Sequence, residues 1–108
     1  MTSDEKPEEG LLEALRHPLG RTLLRLCIEA EKMLSPKDLA LLVNHPVLSN
    51  VAYHVRVLKE HGALAIVHEK PVRGAVAHYY RPTPLVAGTP WVRAVLGLPL
   101  TSQEASSP

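Results

Sequence analysis

The stretch 47–64, VLSNVAYHVRVLKEHGAL, decides how the rest of the chain is read. Leu48, Val51, Val55 and Leu58 recur at three-and-four spacing, which puts them on one face of a helix that advances about 100° per residue. That face is expected to be buried. The other side carries Ser49, Asn50, Tyr53, His54 and Arg56: short hydrogen-bonding groups, a ring and a guanidinium, types that suit base edges and phosphates. Gly62 is the expected stop, because glycine closes a helix in the left-handed region without steric cost.

Upstream of that stretch, Ser35-Pro36-Lys37-Asp38 has the chemistry of a helix start: a hydroxyl cap, proline in the first turn and an acid three residues after the cap. Leu39, Ala40, Leu42 and Val43 are expected to line the inner face of this helix. Asn44 tolerates a left-handed C-cap, and His45-Pro46 continues extended. A tight turn therefore joins two helices, the second presenting polar groups outward, which is the helix-turn-helix arrangement that reads a major groove.

Two further helices precede these. Leu11, Leu12, Ala14 and Leu15 form an apolar stripe from Gly10 that ends at His17-Pro18, and Pro18 opens a helix lined by Leu19, Leu23, Leu26, Cys27 and Ala30. Beyond Gly62 the period shortens. Residues 64–67 and 75–80 are β-branched and aromatic, with turn chemistry at 70–74, and read as a β-hairpin with Arg73 at its tip. Arg73 has no structural purpose there, but beside a duplex it reaches the minor groove or a phosphate. A last short helix starts at Thr89-Pro90, with Trp91, Val92 and Val95 on an almost wholly apolar surface, a pattern that burial against a partner explains.

With 108 residues, one domain and one core are expected, and pairing with a second copy would add stability. Phe is absent, so the core is aliphatic. The net charge of +1 is weak support for a nucleic-acid partner, yet acids gather at 1–9 while Arg56, Lys59, Lys70, Arg73 and Arg81 outnumber Glu60 and Glu69 in the region 54–81. The lone Cys27 excludes an intrachain disulfide and sits where a buried, inert thiol is expected. No apolar run is long enough to span a bilayer and no signal-peptide pattern opens the chain, so a cytoplasmic protein without membrane contact is expected.

Six histidines raise the question of a metal. His17, His45, His54, His61, His68 and His78 are scattered over separate elements with no His-x-x-x-His pair, and a hairpin centred on Val72-Arg73 sends His68 and His78 to opposite faces. No metal site is expected. Nor is an enzyme, since Cys27 lacks a neighbouring base, no paired carboxylates occur and no phosphate-binding glycine loop is present. No cofactor is expected either.

The segments LRHPLGRTLLRL, SPKDLALLV, SNVAYHVRVLKEHGAL and RGAVAHYYR fall in the order and near the spacing of the ArsR-type winged helix-turn-helix transcriptional regulators, which the chain resembles over residues 10–83. The V-x-x-H-x-x-x-L core of the third segment is the most characteristic piece. The resemblance implies a mostly α, α+β fold with a small β-hairpin wing, dimeric through its first and last helices. On it, Ser49, Asn50, Tyr53, His54, Arg56 and Arg73 are the DNA-contacting positions, with Tyr53 and Arg56 foremost. Leu11, Leu12, Leu15, Trp91, Val92 and Val95 are expected at the dimer interface. Metal-sensing members carry a Cys-x-Cys pair in the helix before the recognition helix, whereas this chain has Leu41, Leu42 and Val43, which excludes thiolate metal sensing there.

The expected organisation is a disordered acidic tail at 1–9, a winged helix-turn-helix at 10–83, a linker and dimerisation helix at 84–100, and a disordered tail at 101–108. The expected function is sequence-specific binding of double-stranded DNA by a homodimer acting as a repressor, with room for a small-molecule effector of unknown identity. The alternative keeps the fold but makes it a protein-interaction module, which the near-neutral charge favours.

Overall fold

A computed structural model describes residues 7–87 and 89–98. The order is α1 (Pro7–Ala14), α2 (Pro18–Ala30), α3 (Pro36–Val43), α4 (Leu48–Glu60), β1 (Leu64–Val72), β2 (Ala75–Pro82), α5 (Pro84–Ala87) and α6 (Pro90–Leu96). The fold is therefore mixed α+β, helices with one antiparallel hairpin. The two tails expected at the ends fall outside the described residues, except that residues 7–9 belong to α1, which starts at Pro7 and not at Gly10. Among the described residues no helix is long and apolar enough to cross a membrane.

Three local devices fix the helices. At α2, His17 is the N-cap: its extended backbone leaves Nδ1 free to accept from the Leu19 N–H at 3.1 Å, with Pro18 in the first turn. At α3 the capping box is complete, Asp38 N–H donating to Ser35 Oγ (3.1 Å) and Ser35 N–H to Asp38 Oδ2 (3.0 Å). Asn44 ends α3 at φ 54°, and residues 44–47 then deliver α4. Thr89 departs from expectation, since its hydroxyl caps nothing in α6 and donates back to the Leu85 carbonyl.

The core takes one or more residues from every element. Leu11 and Leu15, Leu23, Leu24 and Cys27, Leu39, then Val51, Val55 and Leu58 are almost wholly removed from solvent. Each fully buried Leu contributes about 1.5–3 kcal/mol from transfer alone. Two expected core positions lie elsewhere. Leu48, in the first turn of α4, and Leu42, on α3, are 47% and 58% exposed, outside the stripe of each helix that faces the core. Gly10 leaves room on α1 for the His61 ring that follows α4, and a Cβ there would run into that ring.

The hairpin is longer than its sequence suggested. The ladder runs to Val72↔Ala75, leaving only Arg73 (φ 43°) and Gly74 (φ 80°) in the turn, the positive-φ pair that matches strand twist. Pro71 pairs with Val76, one step from the closing pair, where ladder alternation points its missing N–H outward. A bulge at Val67 shifts the register between Ile66 and His68. At the base, Tyr80 exchanges backbone hydrogen bonds with Leu34 (2.9 and 3.2 Å), so the hairpin is stitched to the α2–α3 connection.

The region expected to be a linker is folded. Val86 in α5 is fully buried, and Thr83 secures its approach through Oγ1 to the Gly62 carbonyl at 2.6 Å. In α6, Val92 and Leu96 are buried, and Arg25 of α2 donates to the Leu96 carbonyl (3.5 Å) while pairing with Glu29 (3.2 Å).

Candidate nucleic-acid interface

Helical geometry sorts α4 into three faces. Val51, Val55 and Leu58 point into the core, so Ser49, Tyr53 and Arg56 look away from it, with Asn50 to one side. All four are exposed. The Arg56 guanidinium carbon lies 5.7 Å from the centre of the Tyr53 ring, a cation–π arrangement that links the two side chains one turn apart. Burial pushes the Tyr80 phenol above its ordinary value, and the positive charge of Arg56 opposes that shift.

His54 is turned away from this outward face. Its ring lies 4.3 Å from that of His17, tilted by 41°, and meets Tyr53 edge-on at 5.2 Å, forming a wall of three rings between α4 and the α1–α2 corner. Desolvation holds its pKa below the ordinary value, helped by the charges of His17 and His45. His45 mirrors His17, its Nδ1 accepting from the Val47 N–H (3.1 Å) at the entry to α4. In both, Nδ1 accepts from a backbone N–H near a helix start.

On the hairpin, Arg73 stands exposed at the tip in a left-handed conformation that an L side chain adopts only at some cost. His78 and Glu69 pair across the strands at 3.4 Å, while His68 meets Tyr79 on the opposite face. Arg81, counted with the basic patch on sequence grounds, is committed elsewhere. Its Nη1 donates to the carbonyls of Cys27 (3.3 Å) and Lys32 (3.1 Å), completing the C-terminal end of α2.

The residues expected to join two copies divide sharply. Leu11, Leu15 and Val92 are at most 1% exposed, because the chain's own core encloses them, and they are unavailable to a partner in this conformation. Leu12 (48%) and Val95 (41%) remain on the surface, with Trp91 partly buried against the core. Cys27 is buried, its thiol pushed up to about 12 by desolvation, with Arg81 opposing. Among the described residues no group of three or more potential ligands converges as a metal site.

Sequence reasoning missed the structural histidines, whose only signal was that each directly precedes a proline, His17-Pro18 and His45-Pro46, shortly before a helix. It also missed a groove of about 680 Å³ between α4 and the α1–α2 corner, lined by Glu13, His17, Tyr53, Val57 and Glu60 among others. No protein-family model matches the chain, and no curated protein matches it.

Proposed function

We propose that this protein is a winged helix-turn-helix, ArsR-like regulator that binds double-stranded DNA as a homodimer. In this reading α4 enters the major groove with Ser49, Asn50, Tyr53 and Arg56, and the hairpin is the wing, carrying Arg73 over the neighbouring backbone. One observation carries the reading: the polar face of α4 is left uncovered by every described element, beside a projecting hairpin with an arginine at its tip. The strained Arg73 adds to it, because asparagine or glycine fits that turn position better and arginine there calls for a use outside the fold. His54 has a positioning part, setting Tyr53 from behind rather than touching bases. Leu12, Trp91 and Val95 are the available contacts between copies.

Sequence selection from random DNA with the purified full chain tests this. A two-fold symmetric motif is the expected result, and no enriched sequence refutes it. In that event the second reading, a protein-interaction module, stands on its own observation. Leu41 (73%), Leu42 (58%) and Met33 (40%) form an exposed apolar patch on and before α3, around a hollow of about 370 Å³.

A further inference from the structure

The groove beside α4 has a definite chemistry. One wall is the face of α4 with Tyr53 and His54 one turn before Val57, and Glu60 one turn after it; the other is the end of α1 and the turn into α2, with Glu13, Ala14, Arg16 and His17. Its volume of about 680 Å³ lies within the range of small-molecule sites. Three rings line it, His17, Tyr53 and His54, in mutual contact at 4.3 and 5.2 Å. His54 is held toward its neutral form, so the ring wall keeps its π character near neutral pH.

Glu13, Glu60 and Arg16 are the carboxylates and the strong base that line the groove, so acids outnumber the one guanidinium there. Glu13 is engaged by Arg16 at 3.6 Å, leaving one carboxylate there largely offset, whereas Glu60 makes no ion pair among the described residues. Glu60 is also the last residue of α4, where the helix dipole adds negative potential. Tyr53 already attracts one cation, the Arg56 guanidinium, and Arg56 and Val57 flank it on opposite sides, so the groove side of α4 is separate from the Arg56 side.

We propose that this groove binds a planar aromatic cation, its ring against Tyr53 and His54 and its positive charge toward Glu60. Tyr53 lines both the groove and the outward face of α4. A ligand seated here therefore competes with a duplex for Tyr53, and this regulatory consequence rests on the DNA-binding reading, while the binding itself does not.

The test uses the full chain, without DNA, titrated with three probes of one ring size and different charge: N-methylquinolinium, 2-naphthalenemethanol and 2-naphthalenesulfonate. Chemical shifts of Tyr53, His54 and Glu60 report the site. The expected result is cation binding in about the millimolar range for so small a probe, with shifts confined to the groove. The neutral probe should bind more weakly and the sulfonate weakest. Glu60→Gln should weaken the cation about fivefold and leave the neutral probe unchanged, as suits a rim charge. Glu29→Gln, on α2 and paired with Arg25, is the control and should change neither. No binding of the cation, equal or tighter binding of the sulfonate, or indifference to Glu60→Gln overturns the proposal. A second arm adds DNA: the cation should lower duplex affinity for the parent chain more than for Glu60→Gln. If the chain binds no duplex at all, the DNA reading falls while the titration still decides the groove.

Discussion

Two arginines that look alike in the sequence should behave oppositely. Arg56 is exposed on the outward face of α4 beside the Tyr53 ring, whereas Arg81 is partly buried and spends its Nη1 on two backbone carbonyls at 3.1 and 3.3 Å. If α4 lies against a duplex, Arg56 neutralises a phosphate and releases a counterion, which contributes about 0.9 to the slope of log K against log salt. Arg56→Ala should lower that slope by about 0.9 per protomer. Over a fourfold change in salt the gap between parent and variant then narrows by roughly 3.5-fold for each protomer and about twelvefold for a homodimer, a difference that fluorescence anisotropy resolves between about 50 and about 200 mM salt. Arg56→Lys should keep the slope and lose only what the planar stack on Tyr53 provides, about 0.5–1 kcal/mol at an exposed site.

For Arg81→Ala the slope should stay at the parent value, because the guanidinium is not free to meet a phosphate. What changes is stability. Two hydrogen bonds from a charged donor are lost, and the carbonyls of Cys27 and Lys32 are left to water or to nothing. With the group only partly buried, a loss of about 2 kcal/mol is expected, read from urea unfolding followed by circular dichroism. A protein with the usual 5–15 kcal/mol remains folded after such a loss, so its DNA slope can be measured. The reasoning is refuted if Arg81→Ala flattens the salt slope as much as Arg56→Ala does at unchanged stability.

Other consequences follow from single contacts. Ser35→Ala removes half of the capping box at a nearly buried position and should lower stability by about 1 kcal/mol in the same unfolding assay. Glu31 closes α2 at φ 59°, so Glu31→Gly should raise stability by about 0.5–1 kcal/mol, and a decrease would contradict that conformation. The His54 pKa lies below its ordinary value of 6.5, so as pH falls through that value the unfolded chain takes up a proton that the folded chain refuses. Stability is thus full above about 6.5 and declines below it; His54→Gln should flatten the melting temperature between pH 7.5 and 5.5, and an unaltered slope would assign the effect to another group. Cys27 should resist a thiol reagent in the native state and react at once in denaturant, since burial has pushed its thiol to about 12.

The parts of the fold legible in the sequence were those governed by local chemistry. Ser35, Pro36 and Asp38 marked the start of α3, Asn44 its end and Gly62 the end of α4, because each acts through its own backbone or the next turn. What escaped depends on distant partners. Leu42 and Leu48 have the right spacing for a core, but spacing does not say how wide the stripe facing the neighbour is, and both emerge exposed. Leu11, Leu15 and Val92 read as surplus apolar surface only while their neighbours were unknown; each helix meets another part of the same chain and the surplus vanishes. The bridge from Leu34 to Tyr80 has no signature at all, being a single pair between residues far apart in the chain.

The candidate site shows the same division, and there it bears on mechanism. Pattern alone gave Ser49, Asn50, Tyr53, His54 and Arg56 one shared role, since all lie off the apolar stripe. The structure separates them by what stands behind each: nothing behind Ser49 and Arg56, the His17 ring behind His54, and both neighbours beside Tyr53. A side chain held between the His54 ring and the Arg56 guanidinium is moved by whatever moves either. Substitution at His17, which approaches no described part of the outward face except through His54, therefore offers a way to tell positioning from contact. His17→Asn keeps an N-cap acceptor for Leu19, adds no charge and removes the ring, so helix α2 should hold while Tyr53 loses its backing. Weaker duplex binding with an unchanged salt slope would mark His54 and His17 as positioning residues; a changed slope would mean that the His17 ring itself meets a phosphate.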